Sequence, residues 1–304
     1  MSYIQKLKRH GLLGSFKKIR TKLVRKFFYA NWRYKNIPVY KSPSDDELPI
    51  IEKELVDLNI DVKRIQPDKN LFEEFKGKNL FPEHYYGGPK GKVFVEKIFE
   101  HWLSYNLLNL KDYKKEDIYI DVAASSSPWA RICRETMNIN SYAVDLAPVP
   151  DEFSMLDYYI TANATNLPFE DKSVKGMSLH CAYEMFMRND DINFINEISR
   201  VLATDGKVII LPLYMHTHEC AYSTKEFYGK GFVDDGAKEY IRLDAFGVPS
   251  SRKYSPSSFV KRVFNTAKDN NLEVKVLVNS NRSYIDESIY CHFILIIERN
   301  NFEK

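Results

Sequence analysis

Short apolar runs alternate with helical segments from Asp117 to the end of the chain, and this alternation constrains the fold more than any other sequence feature. Seven runs have strand length, at residues 118–122, 141–145, 160–164, 174–180, 207–211, 272–278 and 290–298. Helices are predicted among them, including one over 191–202 and one over 257–270. Because helices connect most of the strands, the sequence predicts an α/β fold with a largely parallel sheet.

The composition excludes several other classes of protein. The 304 residues are 44% hydrophobic, which is enough for one large core or two modest ones. No apolar run approaches the roughly 18 residues of a membrane span. The four cysteines form no CxxC pair, which excludes a disulfide scaffold or a zinc finger and favours a reducing cytoplasm.

Four motifs follow one another in the predicted α/β region. The first strand ends at Asp121 before a turn of small residues, and the second ends at Asp145, about twenty residues later. Residues 163–173 read Asn-Ala-Thr-Asn-Leu-Pro-Phe-Glu-Asp-Lys-Ser, and residues 197–207 read Glu-Ile-Ser-Arg-Val-Leu-Ala-Thr-Asp-Gly-Lys. In order and spacing these motifs resemble the class I S-adenosylmethionine-dependent methyltransferases of the type 11 kind. The resemblance implies a Rossmann-like, doubly wound, seven-stranded sheet with its last strand antiparallel, preceded by a helical N-terminal extension.

The resemblance also implies S-adenosylmethionine as the cofactor. Asp145 would accept hydrogen bonds from the ribose hydroxyls, and the turn after Asp121 would approach the methionine end. The predicted cofactor-binding residues are Asp121, Ala123, Ser125, Asp145, Leu146, Asn163 and Ala164. Ala123, Ser125 and Ser127 stand where the family usually has glycines, so a positive φ is costly in this turn. A dehydrogenase is disfavoured because the chain lacks GxGxxG.

Three histidines lie in the loops after the fourth and fifth predicted strands. Ligands bind at the carboxyl edge of such sheets, and His180, His216 and His218 are therefore the predicted catalytic residues. Imidazole suits the removal of a hydroxyl proton near neutral pH. No metal is predicted. The alternative is that these histidines, with Glu184 or Glu219, hold a divalent ion.

The first 44 residues form a basic arm. They contain 12 Lys and Arg and no acidic residue, so removing these 12 from the total of 44 leaves 32 basic against 41 acidic side chains. Leu12, Phe16, Ile19, Leu23 and Phe27 recur at helical spacing. The pattern predicts an amphipathic helix on an anionic membrane surface. Packing of the apolar stripe on the body and binding of nucleic acid are the alternatives, with nucleic acid less favoured.

The predicted organisation has three parts. They are the arm at 1–44, a helical extension at 45–112, and a methyltransferase domain at 113–304 with a lid insertion at 214–256. Seven aromatic residues over 222–254, within the insertion, favour a saccharide acceptor. The predicted function is cytoplasmic O-methylation of a glycan or lipid-linked saccharide at the inner membrane face, in surface-glycan biosynthesis. The alternatives are an RNA or small-molecule methyltransferase and a non-catalytic membrane-associated scaffold.

Overall fold

The computed structural model describes residues 28–299, which form two compact units. Within the described residues, the larger unit comprises 42–220 and 252–299, and the smaller unit comprises 28–41 and 221–251. The amphipathic helix predicted within the arm lies almost entirely outside the described residues. Among the described helices, none has both the length and the apolar character needed to cross a membrane.

Eight helices and nine strands account for the regular structure of the larger unit. The helices are α1 (Leu48–Asp57), α2 (Lys69–Gly77), α3 (Phe94–Leu107), α4 (Trp129–Met137), α5 (Asp190–Val201), α6 (Pro256–Phe259), α7 (Asn265–Asp269) and α8 (Arg282–Ile285). A π-helical turn at Val260–Phe264 joins α6 to α7. The first six strands are β1 (Asp61–Ile65), β2 (Ile118–Val122), β3 (Ser141–Asp145), β4 (Tyr159–Thr161), β5 (Val174–His180) and β6 (Leu202–Leu211).

The remaining strands follow β6. They are β7 (Cys220–Thr224), β8 (Lys238–Arg242), β9 (Ser251–Lys253), β10 (Leu272–Asn279) and β11 (Phe293–Arg299). Strands β7 and β8 are neighbours and belong mainly to the smaller unit. In that unit Val39 forms a parallel bridge with Ile241, and the ring of Tyr40 lies 4.6 Å from that of Tyr222.

The main sheet has the order β1-β10-β11-β6-β5-β2-β3-β4. Strand β11 is antiparallel to both of its neighbours, and every other pairing in this sheet is parallel. The predicted Rossmann-like α/β fold with an antiparallel last strand is confirmed. The chain order reverses between β2 and β5, which places a binding crevice at the carboxyl ends of these strands.

The sheet differs from the prediction in having an eighth strand. Strand β1 lies in the segment 45–112, which was predicted to be helical, and it pairs in parallel with β10. Its sequence, Asp-Val-Lys-Arg-Ile, has no fully buried residue and no apolar run. An edge strand pairs on one side only, so it needs little apolar surface, and the pattern of apolar residues could not reveal it.

Helices cover both faces of the sheet because its strands alternate their apolar side chains. On one face Ile120, Val208 and Ile210 pack in a core that includes residues of α1, α5, α6 and α7. On the other face Tyr119 and Ile209 pack with residues of α2, α3 and α4. Both clusters are buried, so the sheet forms the middle of a three-layer structure that holds the strand ends rigidly.

Candidate active site

The turn after β2 adopts left-handed backbone conformations without glycine. Ala123 has φ of 55° and Ser125 has φ of 50°. The backbone N–H of Ser125 donates to Asp145 Oδ2 at 2.6 Å, and that of Ala124 donates to the Val144 carbonyl at 3.1 Å. The end of β3 therefore holds a turn whose backbone strain costs on the order of 1–3 kcal/mol per residue, as occurs at binding sites.

A cavity of about 450 Å³ opens beside Asp145. The second carboxylate oxygen of Asp145 accepts the Ala147 N–H at 2.7 Å, which fixes the side chain, and Leu146 is 72% exposed. The lining residues are Ala123, Ser125, Val144, Asp145, Leu146, Ala162, Asn163, Ala164, Thr165, Cys181, Ala182, Met185, Phe186, Met187 and Asp190. The structure thus brings together six of the seven predicted cofactor-binding residues in a largely apolar space suited to an adenosine group.

A second cavity, of about 120 Å³, adjoins the first. Both are lined by Ala123, Ser125 and Cys181. The other lining residues of the second cavity are Tyr85, Tyr86, Lys97, His101, Asp121, Ala124, Ser126, Ser127 and His180. The seventh predicted cofactor residue, Asp121, and one predicted catalytic residue, His180, therefore lie here.

Asp121 carries a buried oxygen without a hydrogen-bond partner. The side chain is 1% exposed, Oδ1 lies 3.1 Å from His180 Nδ1, and Oδ2 has no partner. An unpaired buried carboxylate oxygen is costly unless a donor, preferably a charged one, reaches it. The α-ammonium group of S-adenosylmethionine is such a donor, and the two adjoining cavities suit its methionine and adenosine ends. The residues present therefore fit this cofactor.

Both ring nitrogens of His180 already have partners. Nδ1 faces Asp121, and Nε2 lies 3.0 Å from Ser104 Oγ. The ring also packs against His101 at a centroid distance of 4.2 Å. The geometry thus orients His180 toward Asp121 and Ser104, and its role as base stays a prediction.

Helix α3 supplies a buried ion pair that the sequence prediction missed. Lys97 Nζ donates to both carboxylate oxygens of Glu100, at 2.8 and 3.0 Å, and to Cys181 Sγ at 2.5 Å. The Cys181 thiol also lies 3.2 Å from Glu100 Oε1 and 3.2 Å from the Tyr214 hydroxyl. The one sequence feature that could have indicated this pair is that charged residues interrupt the apolar positions of this part of the predicted helical extension at 45–112.

Burial and charge set the protonation states around this pair. Burial is the largest single influence on the pKa of Lys97 and lowers it, but the negative charge of Glu100, together with the neighbouring Cys181 and Tyr290, raises the net pKa well above its ordinary value. Burial raises the pKa of the Cys181 thiol, and the negative charge of Glu100 adds to this rise. The second cavity is therefore lined by the charged ammonium group of Lys97 and the neutral thiol of Cys181.

His216 and His218 lie apart from these two cavities. Neither is among the described residues that line them. Instead their rings pack together at a centroid distance of 4.3 Å in the segment between β6 and β7. The structure therefore does not place the three predicted catalytic histidines in one cavity.

Residues 120–210, under one third of the chain, match the family model described as a methyltransferase domain. No curated protein matches the chain significantly. Among solved structures, a 1,6-didemethyltoxoflavin N1-methyltransferase from Burkholderia thailandensis is 9% identical with a TM-score of 0.45, covering 78% of this chain and 92% of its own. An S-adenosylmethionine-dependent methyltransferase from Clostridium acetobutylicum is 13% identical with a TM-score of 0.44, covering 74% and 98%.

Proposed function

We propose that this enzyme, a methyltransferase that uses S-adenosylmethionine, methylates a hydroxyl oxygen of a saccharide or lipid-linked saccharide at the cytoplasmic face of a membrane. The observation that carries the proposal is the junction of the two cavities at Cys181, where Lys97 adds a buried positive charge. A hydroxyl acceptor gains negative charge as it reacts, and a fixed cation stabilises that charge.

The bound cofactor supplies a methyl group on a sulfonium sulfur, so that an O–C bond forms as the C–S bond breaks. The acceptor oxygen meanwhile loses its proton. We assign stabilisation of that oxygen to the Lys97 ammonium group. The proton passes to the Cys181 sulfur as the thiol gives its own proton to Glu100 Oε1, 3.2 Å away. Asp121 would hold the amino group of the cofactor through its unpaired Oδ2, and His180 would hold the Asp121 carboxylate in position.

The smaller unit supports a saccharide acceptor by its aromatic surface. Five aromatic side chains in its 221–251 segment are half-buried and therefore expose part of a ring: Phe227, Tyr228, Phe232, Tyr240 and Phe246. Arg242 donates to the Tyr222 hydroxyl at 3.0 Å. Flat apolar faces beside polar hydrogen-bonding groups match a sugar ring, which has both kinds of surface.

Two exposed aromatic residues support a membrane location. Phe28 is 66% exposed and Trp32 is 68% exposed. The guanidinium of Arg33 lies 5.0 Å from the centre of the Trp32 ring. Exposed aromatic and basic side chains together are typical of segments that bind the interface of an anionic bilayer.

Radiolabelled methyl transfer tests the proposal. The purified chain is incubated with labelled S-adenosylmethionine and one of four acceptors: lipid-linked saccharides in anionic vesicles, free oligosaccharides, bulk RNA, and vesicles alone. The expected product is a base-stable methyl ether in the lipid-linked saccharide. Label in RNA, or in no acceptor despite measured cofactor binding, would contradict the proposed acceptor.

A further inference from the structure

Three side chains outside the two cavities form a cluster with the composition of a metal site. His216, His218 and Cys220 each offer one ligand atom, and these atoms all lie within 4.8 Å of one another. Cys220 is fully buried, His216 is 8% exposed, and His218 is half-buried. Two buried groups beside a half-buried one distinguish the cluster from histidines scattered on a surface.

The backbone fixes the start of this cluster. The N–H of His216 donates to the Tyr254 carbonyl at 2.8 Å, and Met215 forms a parallel bridge with Tyr254. At the other end Cys220 is the first residue of β7. Four peptide units therefore hold three ligands between two anchored points, which lowers the conformational entropy lost when a metal binds.

Thr217 orients both imidazole rings. Its hydroxyl oxygen lies 3.2 Å from His216 Nδ1 and 3.3 Å from His218 Nδ1. A hydroxyl oxygen has two lone pairs and can accept from both Nδ1–H groups. In that tautomer each ring carries its lone pair on Nε2. Metal-binding histidines commonly donate a hydrogen bond through the nitrogen that does not bind the metal.

The donor set selects the kind of metal. Two imidazoles and one thiolate suit Zn²⁺, whereas Mg²⁺ and Ca²⁺ prefer oxygen. A tetrahedral zinc site has its ligand atoms about 3.3–3.6 Å apart, given Zn–N and Zn–S bonds of about 2.0–2.3 Å. The separations between ligand atoms, which are at most 4.8 Å, therefore need to shorten by no more than about 1.2–1.5 Å. Three protein ligands leave one position for water or another group.

We propose that His216, His218 and Cys220 bind one Zn²⁺ ion that fixes the segment between β6 and β7. Cys220 loses its thiol proton to solvent on binding, since the thiolate is the ligand. The proposal does not depend on the methyl acceptor. It gives the two histidines a role that their position outside the cofactor cavities allows.

Metal analysis of the full chain tests this site. The protein is stripped with a chelator, reloaded with Zn²⁺ or Co²⁺, and desalted. We expect one equivalent of either metal, with Co²⁺ giving the visible bands of tetrahedral coordination and a thiolate-to-metal charge-transfer band. Cys220→Ser should abolish the charge-transfer band, and His218→Gln should weaken binding by more than about 10-fold. Cys133→Ala and His84→Gln are the matched controls and should bind as the wild type does.

Cys220 is buried, so its replacement could unfold the chain. His218 is only half-buried, and His218→Gln therefore provides a second test with a variant that is expected to fold. Zn²⁺ should raise the melting temperature of the wild type but not that of folded His218→Gln. The proposal is wrong if the folded wild type binds only substoichiometric metal after reloading. It is equally wrong if both site variants bind Zn²⁺ as tightly as the wild type.

Discussion

Asp145 Oδ2 accepts the backbone N–H of Ser125 at 2.6 Å, across the gap between the ends of β3 and β2. The acid at the end of β3 thus holds the turn that follows β2, and this turn has positive φ values of 55° and 50° at Ala123 and Ser125. The carboxylate that is predicted to bind the cofactor therefore also holds the strained turn.

Asp145→Ala should weaken S-adenosylmethionine binding by about 1.5–3 kcal/mol. The ribose hydroxyls would lose a charged acceptor, and the Ser125 turn would lose the hydrogen bond that holds it. Calorimetric titration of the folded variant measures the change. Glu116→Ala, which removes an exposed acid remote from both cavities, is the control and should bind with unchanged affinity.

Lys97→Met should lower turnover by about 100-fold or more while leaving cofactor affinity nearly unchanged, because it removes the cation beside the reacting oxygen. Steady-state kinetics with a confirmed acceptor measures both quantities. The single variant leaves Glu100 buried and unpaired, at a cost of about 3–5 kcal/mol of folding free energy. The double variant Lys97→Met/Glu100→Gln removes that charge, and an active double variant would contradict the assigned role.

Cys181→Ser should retain a substantial share of the turnover, because a hydroxyl can relay a proton to Glu100 as the thiol does. Cys181→Ala should lose roughly 100-fold in kcat, as expected when a proton-transfer group is removed. The measurement is the ratio of the kcat of Cys181→Ser to the kcat of Cys181→Ala. Equal turnover in both would show that the proton takes another route.

His180→Gln should raise the dissociation constant of the cofactor with a smaller effect on kcat. The substitution removes the ring nitrogen that lies 3.1 Å from Asp121 Oδ1, so the carboxylate proposed to bind the cofactor's amino group loses this support. Binding titrations and kcat measured at saturating cofactor separate the two effects. A loss confined to kcat would instead support the predicted role of His180 as a base.

Trp32→Ala combined with Phe28→Ala should reduce sedimentation with anionic vesicles by about 10-fold, since two exposed aromatic rings no longer enter the interface. Cofactor binding should not change. Met155→Ala is the matched control, because Met155 is an apolar residue of the larger unit with 94% exposure. Equal losses in the two proteins would exclude a specific interfacial role for the arm.

The sequence predicted the centre of the sheet better than its surroundings. The bounds of β3 and β5 were predicted correctly, since each strand ends at a polar residue, Asp145 or His180, that precedes a loop. The buried pair Lys97 and Glu100 was missed, since charges on a helix ordinarily face solvent and only tertiary pairing reveals an exception. The position of His216 and His218 outside the two cavities was also not predicted. The spacing of apolar residues indicates where a strand ends but not the direction that the following loop takes.

Both edges of the main sheet limit association between copies of this chain. Strand β4 has three residues, and β1 places Lys63 and Arg64 at the opposite edge, each with a neighbouring carboxylate. An open edge strand can pair with a second chain through its backbone, and short or charged edges oppose such pairing. Strand β1, the eighth strand of this sheet, therefore also opposes edge-to-edge aggregation of the chain during folding and at high concentration.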